Sequence, residues 1–179
     1  MLAIEAIQTA RLLLRRPRVS DAPAIFHNYG GDAEATRFLT WRPHASAEPI
    51  EAWLKTVTDT WGEGHELSWV LCNGAATTEP QPIGMVSLRL AGFKAELGYV
   101  IGRAYWGQGL VPEAVSAVIE LCLREGMYRV AAFCDVDNTR SARVLEKVGM
   151  VREGLLHRYV LHPNISDEPR DVYFYARYR

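Results

Sequence analysis

AELGYVIGRAYWGQGLVPEA, residues 95–114, is the stretch whose reading decides the fold. Ala95 to Ile101 reads as a strand. Glycines then break the chain, and a long helix spans Leu110 to Glu125 before Gly126 stops it. A strand that feeds a glycine-rich turn and then a helix aims several backbone N–H groups, with the positive end of the helix dipole, at one point where an anion can sit. Two nucleotide-binding alternatives fail on inspection. The turn has no Gly-Lys-Ser/Thr of a P-loop, and Gly107-Gln108-Gly109-Leu110-Val111-Pro112 lacks the third glycine of a dinucleotide fingerprint. The Gly-Gln-Gly triplet alone is weak evidence, and a plain strand-to-helix turn would read the same way.

Working outward, a strand follows from Arg129 to Asp135, then a helix from Asn138 to Val148 closed by Gly149, then two strands at Leu155–Leu161 and Arg170–Tyr178. Upstream, Ile83–Leu90 pairs with Ala95–Ile101 as a hairpin across Ala91-Gly92-Phe93-Lys94. Leu67–Asn73 is a further strand, and Gly74–Pro82 reads as a surface turn. Ser46 is placed to cap a helix whose Ile50, Trp53, Leu54, Val57 and Trp61 share one apolar face, with Gly62 and Gly64 ending it. Arg11–Arg16 is a first strand, and Asp21–Tyr29 a short helix stopped by Gly30-Gly31. The pattern is a mixed α/β domain, antiparallel in its first half and with a β-α-β crossover in its second.

Composition narrows the function classes. The 179 residues, 49% of them hydrophobic, suffice for one domain spanning residues 1–179 with a real core. Twenty Lys+Arg against 21 Asp+Glu leave no bulk positive charge to hold nucleic acid. Cys72, Cys122 and Cys134 each sit in an apolar stretch and read as buried thiols in a reducing, cytoplasmic setting. The opening MLAIEAIQTARLLL lacks the basic start and long apolar core of a secretory signal, and no apolar run spans a bilayer. Asn164-Ile165-Ser166 is then a chance match to a glycosylation acceptor. No spacing supports a metal site or a serine hydrolase.

Gly98, the WGQG turn, the helix, the strand ending at Asp135, Asn138-Thr139-Arg140-Ser141 and Leu145-Glu146-Lys147-Val148-Gly149-Met150 form one ordered set. That set resembles the GNAT superfamily of acetyl-CoA-dependent N-acetyltransferases. Thr9-Ala10-Arg11-Leu12-Leu13-Leu14-Arg15-Arg16 through Asp21-Ala22, with Pro169-Arg170-Asp171 near the end, is similar to the ribosomal-protein N-terminal acetyltransferase (RimJ/RimL-like) branch. The resemblance implies a mostly antiparallel central sheet with helices on both faces and a β-α-β core that binds acetyl-CoA, without a metal. It places the cofactor phosphates on Trp106, Gly107, Gln108, Gly109, Leu110 and Val111, and the pantetheine arm on the backbone of Val100, Ile101 and Gly102. Asn138 would meet the arm, or serve simply as a helix N-cap, with Ser141 one turn further on the same face. Two residues depart from the superfamily pattern. Ala104 replaces the Arg or Gln that opens the phosphate motif, leaving Arg103 or Arg143 as nearby cations, and Leu145 replaces the usual acidic tyrosine, a role the branch can give to Ser141.

Acetyl transfer requires the amine, with a pKa of about 8 for an α-amino group and about 10.4 for a lysine-like one, to lose a proton before it attacks. Glu96 matches the superfamily's catalytic glutamate and is the expected base, acting directly or through a water. A strand residue paired with Arg89 across the hairpin fits the same position. His27, His44, His65, His157 and His162 are alternative bases that no spacing separates. Trp41 falls where acceptor-binding loops lie, so it is expected to line the amine pocket. The favoured acceptor is a protein or peptide N-terminal α-amine. A small-molecule amine (polyamine, amino sugar, antibiotic) and a non-catalytic acyl-CoA-binding module are the alternatives, and a homodimer is left open.

Overall fold

The computed structural model describes residues 4–61, 66–73 and 80–179. Its strands are β1 (Ala6–Gln8), β2 (Leu12–Arg15), β3 (Glu66–Asn73), β4 (Pro82–Ala91), β5 (Lys94–Ile101), β6 (Arg129–Asp135), β7 (Val151–Val160) and β8 (Arg170–Tyr178). Its α-helices are α1 (Ala22–Ile25), α2 (Glu48–Asp59), α3 (Leu110–Arg124) and α4 (Thr139–Lys147). The strands form one sheet in the order β1-β2-β3-β4-β5-β6-β8-β7, antiparallel at every step except β5–β6.

Period-2 alternation sends side chains to two cores. Leu97 and Ile101 of β5 join Val130, Ala132 and Cys134 of β6 beneath α3, whose Leu110, Val111, Ala114, Val115, Val118, Ile119, Leu121 and Cys122 are all buried. On the other face Val70, Cys72 and Met85, with Val100 packed against them, lie under α1 and α2 through Ile25, Ile50 and Leu54. All three cysteines are buried and free, and burial pushes the Cys122 thiol up to about 12 and the Cys134 thiol up to about 11.

The parallel β5–β6 contact is what shapes the site. It covers only Lys94–Glu96 against Arg129–Ala131. Beyond it, β5 stays with β4 as far as Ile101 and β6 stays with β8 as far as Asp135. Each strand follows its antiparallel partner, so the sheet opens into a wedge between β5 and β6.

Several local expectations need correction. Strand β1, three residues long, carried too little alternation to be read. The first helix is a composite: a 3₁₀ turn at Val19–Asp21, α1, and a π turn at Phe26–Gly30. Ala47, not Ser46, holds the N-cap position of α2, without a side-chain cap bond. Trp53 is 41% exposed rather than in the core, while Ile50 and Leu54 are buried. The helix stop at Gly62 and Gly64 and most of the Gly74–Pro82 turn lie outside the described residues.

Candidate active site

A cleft of about 1050 Å³ occupies the wedge, lined by β5, the Trp106–Pro112 turn, the end of β6 and the start of α4. At its mouth Gly107 and Gly109 both adopt φ +74°, the left-handed region where glycine alone is unstrained, and Gly109 enters α3 without a side-chain cap. The first N–H groups of α3 are thus left for an external anion. A Cβ at Gly107 would meet nothing within 4 Å. The turn is anchored from the chain's start. Thr9 Oγ1 donates to Glu113 Oε1 (2.6 Å), Arg11 Nε donates to Glu113 Oε2 (2.7 Å), and a second Arg11 nitrogen donates to the Gln108 carbonyl (2.8 Å). That clamp is the physical content of the Thr9–Arg11 motif.

Trp106, Gly107, Gly109, Leu110, Val111, Asn138 and Ser141 all line the cleft. Gln108 instead folds its side chain onto the Ala104 carbonyl at 2.9 Å. Arg103 is 3.0 Å from Asp32, and α4 brings Arg140, Arg143 and Lys147 to the cleft, whose lining also includes Arg37 and Arg89. Arg140 also lies 4.3 Å over the Trp106 ring. Asn138 fills its N-cap role, its Oδ1 accepting from the Ser141 N–H at 3.2 Å.

Of Val100, Ile101 and Gly102, the first two line the cleft, and only Ile101 turns its backbone groups toward the wedge. The Gly102 N–H donates to the Ile83 carbonyl on β4, and antiparallel alternation carries Val100 to the same side, opposite Met85. The groups turned toward the wedge therefore belong to Leu97, Tyr99 and Ile101, the Ile101 carbonyl being taken by the Trp106 indole at 3.1 Å. Tyr99 itself was missed as a site residue. Its hydroxyl sits 2.7 Å from Ser141 Oγ, and burial pushes its pKa up, so it stays protonated. Leu145 is fully buried in the core, so the position of the superfamily's acidic tyrosine is filled by packing.

The opposite wall lies on the α2 face. Phe38, Leu39 and Thr40 line it, with Gly98, Phe133, Asp135 and His162. Trp41 does not line the cleft. It stacks on His44 (centroids 5.2 Å apart) and packs against the α1–α2 core. Glu96 does line the cleft, with Arg89 beside it at 3.3 Å, which is the cross-hairpin pairing. Asn164 Nδ2 donates to the carbonyls of Thr36 (2.7 Å) and Trp41 (2.8 Å), tying two distant loops into one wall. Among the described residues no group of three or more potential ligands is placed to hold a metal ion, and no helix is long and apolar enough to cross a membrane.

A model of the acetyltransferase (GNAT) domain matches residues 11–151. YoaA of Bacillus subtilis (strain 168), an N-acetyltransferase itself uncharacterized, is 29% identical over 168 residues, 93% of this chain and 94% of its own. The Escherichia coli (strain K12) ribosomal-protein-serine acetyltransferase is 33% identical over 84 residues, 46% of this chain and 45% of its own. Among solved structures, a GNAT-family acetyltransferase from Bacillus anthracis superposes with a TM-score of 0.80 at 26% identity, covering 97% of this chain and 98% of that one. Mycobacterium smegmatis RimJ, solved with CoA-disulfide, matches at a TM-score of 0.78 and 21% identity, covering 93% and 81%.

Proposed function

This chain belongs to the GNAT acetyltransferase family as an acetyl-CoA-dependent N-acetyltransferase, and from that premise we propose that its acceptor is the α-amino group at a protein or peptide N-terminus. Acetyl-CoA supplies the activated acyl thioester. The residues present fit it: the uncapped start of α3 beside two left-handed glycines suits a pyrophosphate, and Arg140, Arg143 and Lys147 add the positive charge that Ala104 does not. The wedge-facing backbone of Leu97, Tyr99 and Ile101 offers the pantetheine arm a strand edge.

The Tyr99–Ser141 pair supports proton donation on the cofactor side. With the Tyr99 O–H given to Ser141 Oγ, the serine hydroxyl is free to donate to the departing sulfur. A thiol of pKa near 8.5 leaves without strict need of an acid, so this donation assists rather than enables. On the other side Glu96 faces the cleft, and we assign it the capture of the acceptor's ammonium.

The observation that supports the acceptor class is the wall at Phe38–Thr40, which is built on a loop rather than on the sheet and lines the cleft. The E. coli relative named for ribosomal-protein serine points the same way. Thiol release from acetyl-CoA, measured across N-terminal peptides and a panel of polyamines, amino sugars and aminoglycosides, tests it. Turnover on peptides is expected, and a preference for any of the small amines overturns the peptide reading.

A further inference from the structure

We propose that His162, held against Asp135, is the group that takes the proton from the acceptor amine. The inference rests on the acetyltransferase reading and adds a residue to it. His162 is only 2% exposed, yet it lines the cleft, and neither ring nitrogen makes a well-formed hydrogen bond, the Leu39 carbonyl being the backbone acceptor turned toward the ring. Leaving a buried polar group without a good partner is costly. Such a group is kept most readily where a ligand completes it.

The surroundings give the imidazole a direction. Nε2 lies 3.7 Å from Asp135 Oδ2. Asp135 is locked in turn: Arg170 reaches its two carboxylate oxygens at 2.5 and 3.0 Å, and the Asp137 N–H donates to Oδ1 at 2.9 Å. With the ring hydrogen on Nε2 toward this fixed carboxylate, Nδ1 keeps its lone pair. The charged groups facing His162 are Asp135 from β6 and Arg170 from β8, while the Phe38–Leu39 segment presents a ring edge at 6.3 Å and the Leu39 carbonyl. Burial is the largest influence and holds His162 below its usual value, so the base form is present at neutral pH. Glu96, by contrast, already shares its carboxylate with Arg89.

In the step itself the ammonium gives one proton to His162 Nδ1, directly or through one water. The freed lone pair forms the C–N bond to the acyl carbon as the C–S bond breaks. The second nitrogen proton goes to the thiolate by way of Ser141, and His162 releases its proton to solvent. The products are the N-acetyl amide, CoA thiol and one proton.

The test is kcat/KM for a peptide bearing a free α-amine, measured from pH 5.5 to 9.5 in the wild type, His162→Asn, His162→Gln and Glu96→Gln, with folding checked by thermal melts. Asn keeps a hydrogen-bonding atom near Nδ1 and cannot take a proton. Turnover in the His162 variants should fall roughly 100-fold or more at pH 7, with the loss shrinking toward pH 9 as the amine, with a pKa of about 8, deprotonates unaided. Glu96→Gln should instead raise the peptide KM at pH 7 with kcat little changed, and acetyl-CoA affinity should not change. In the wild type the acid limb should fall below about pH 6.5. Loss that is absent or equal at all pH, or a wild-type limb that follows the amine near pH 8, overturns the role of His162. Absence of acceptor-dependent thiol release in the wild type overturns the acetyltransferase reading, and this inference with it.

Discussion

The two walls of the cleft are built differently. The wall assigned to the cofactor is made from one run of chain, β5 through the Trp106–Pro112 turn into α3, plus α4. The acceptor wall is assembled from Phe38–Thr40, the ends of β5 and β6, and His162 in the loop before β8. An adenosine diphosphate portion always presents the same phosphates, and backbone N–H groups at a helix start meet them with little help from side chains. Acceptors differ, and loops tied by a few side-chain bonds can vary without disturbing the sheet. The wall proposed to bind the constant ligand is local, and the wall proposed to bind the variable one is not.

Breaking the cofactor wall should have the largest effect. Gly109→Val forces a β-branched residue into the left-handed region at about 1–2 kcal/mol and obstructs the phosphate approach, so acetyl-CoA affinity should drop on the order of 100-fold. Isothermal titration reads this directly, and unchanged affinity removes the turn from phosphate binding. Ser141→Ala should lower kcat about 10-fold with little change in either KM, since the thiolate leaves without strict need of an acid. A solvent-isotope effect that survives unaltered in this variant would count against proton donation by Ser141.

On the acceptor wall, Asn164→Ala removes two hydrogen bonds of about 1 kcal/mol each. The peptide KM should rise several-fold to about 10-fold while acetyl-CoA affinity stays put. A matching loss of acetyl-CoA affinity would erase the distinction between the walls. The last prediction concerns acid stability. Asp135 would be raised by burial, but Arg170 overrides this and holds it below the usual carboxylate range. Its folded value is depressed, so the contribution is complete above about pH 4 and is lost as the pH falls through the lowered value. Acid unfolding of Arg170→Gln should accordingly begin at higher pH than in the wild type, with an equal onset refuting the linkage.

Legibility from sequence tracks this division. Strands β6 and β8 fall where their patterns place them, and Asn138 caps α4 as its residue type foretells, because each depends on neighbours a few positions away. The composite α1 region was harder, since its turns respond to packing such as the 2.8 Å that a Cβ at Gly30 would leave to Ile50. Trp41 had composition in its favour but not direction, and its ring turned to His44. Five histidines were indistinguishable in the sequence. Only the fold separates His162, by burying it beside Asp135, which lies far earlier in the chain.

The sequence by itself determined the order of strands and helices from β2 onward, the glycine turn that opens α3 and the Asn138 cap of α4, because hydrophobic period and backbone sterics act over one or two turns of chain. Tertiary structure alone decided where β5 parts from β6, which β5 backbone groups face the opening, and which histidine is buried beside a carboxylate. Those outcomes depend on pairing partners and burial, and neither is defined until distant segments share one sheet.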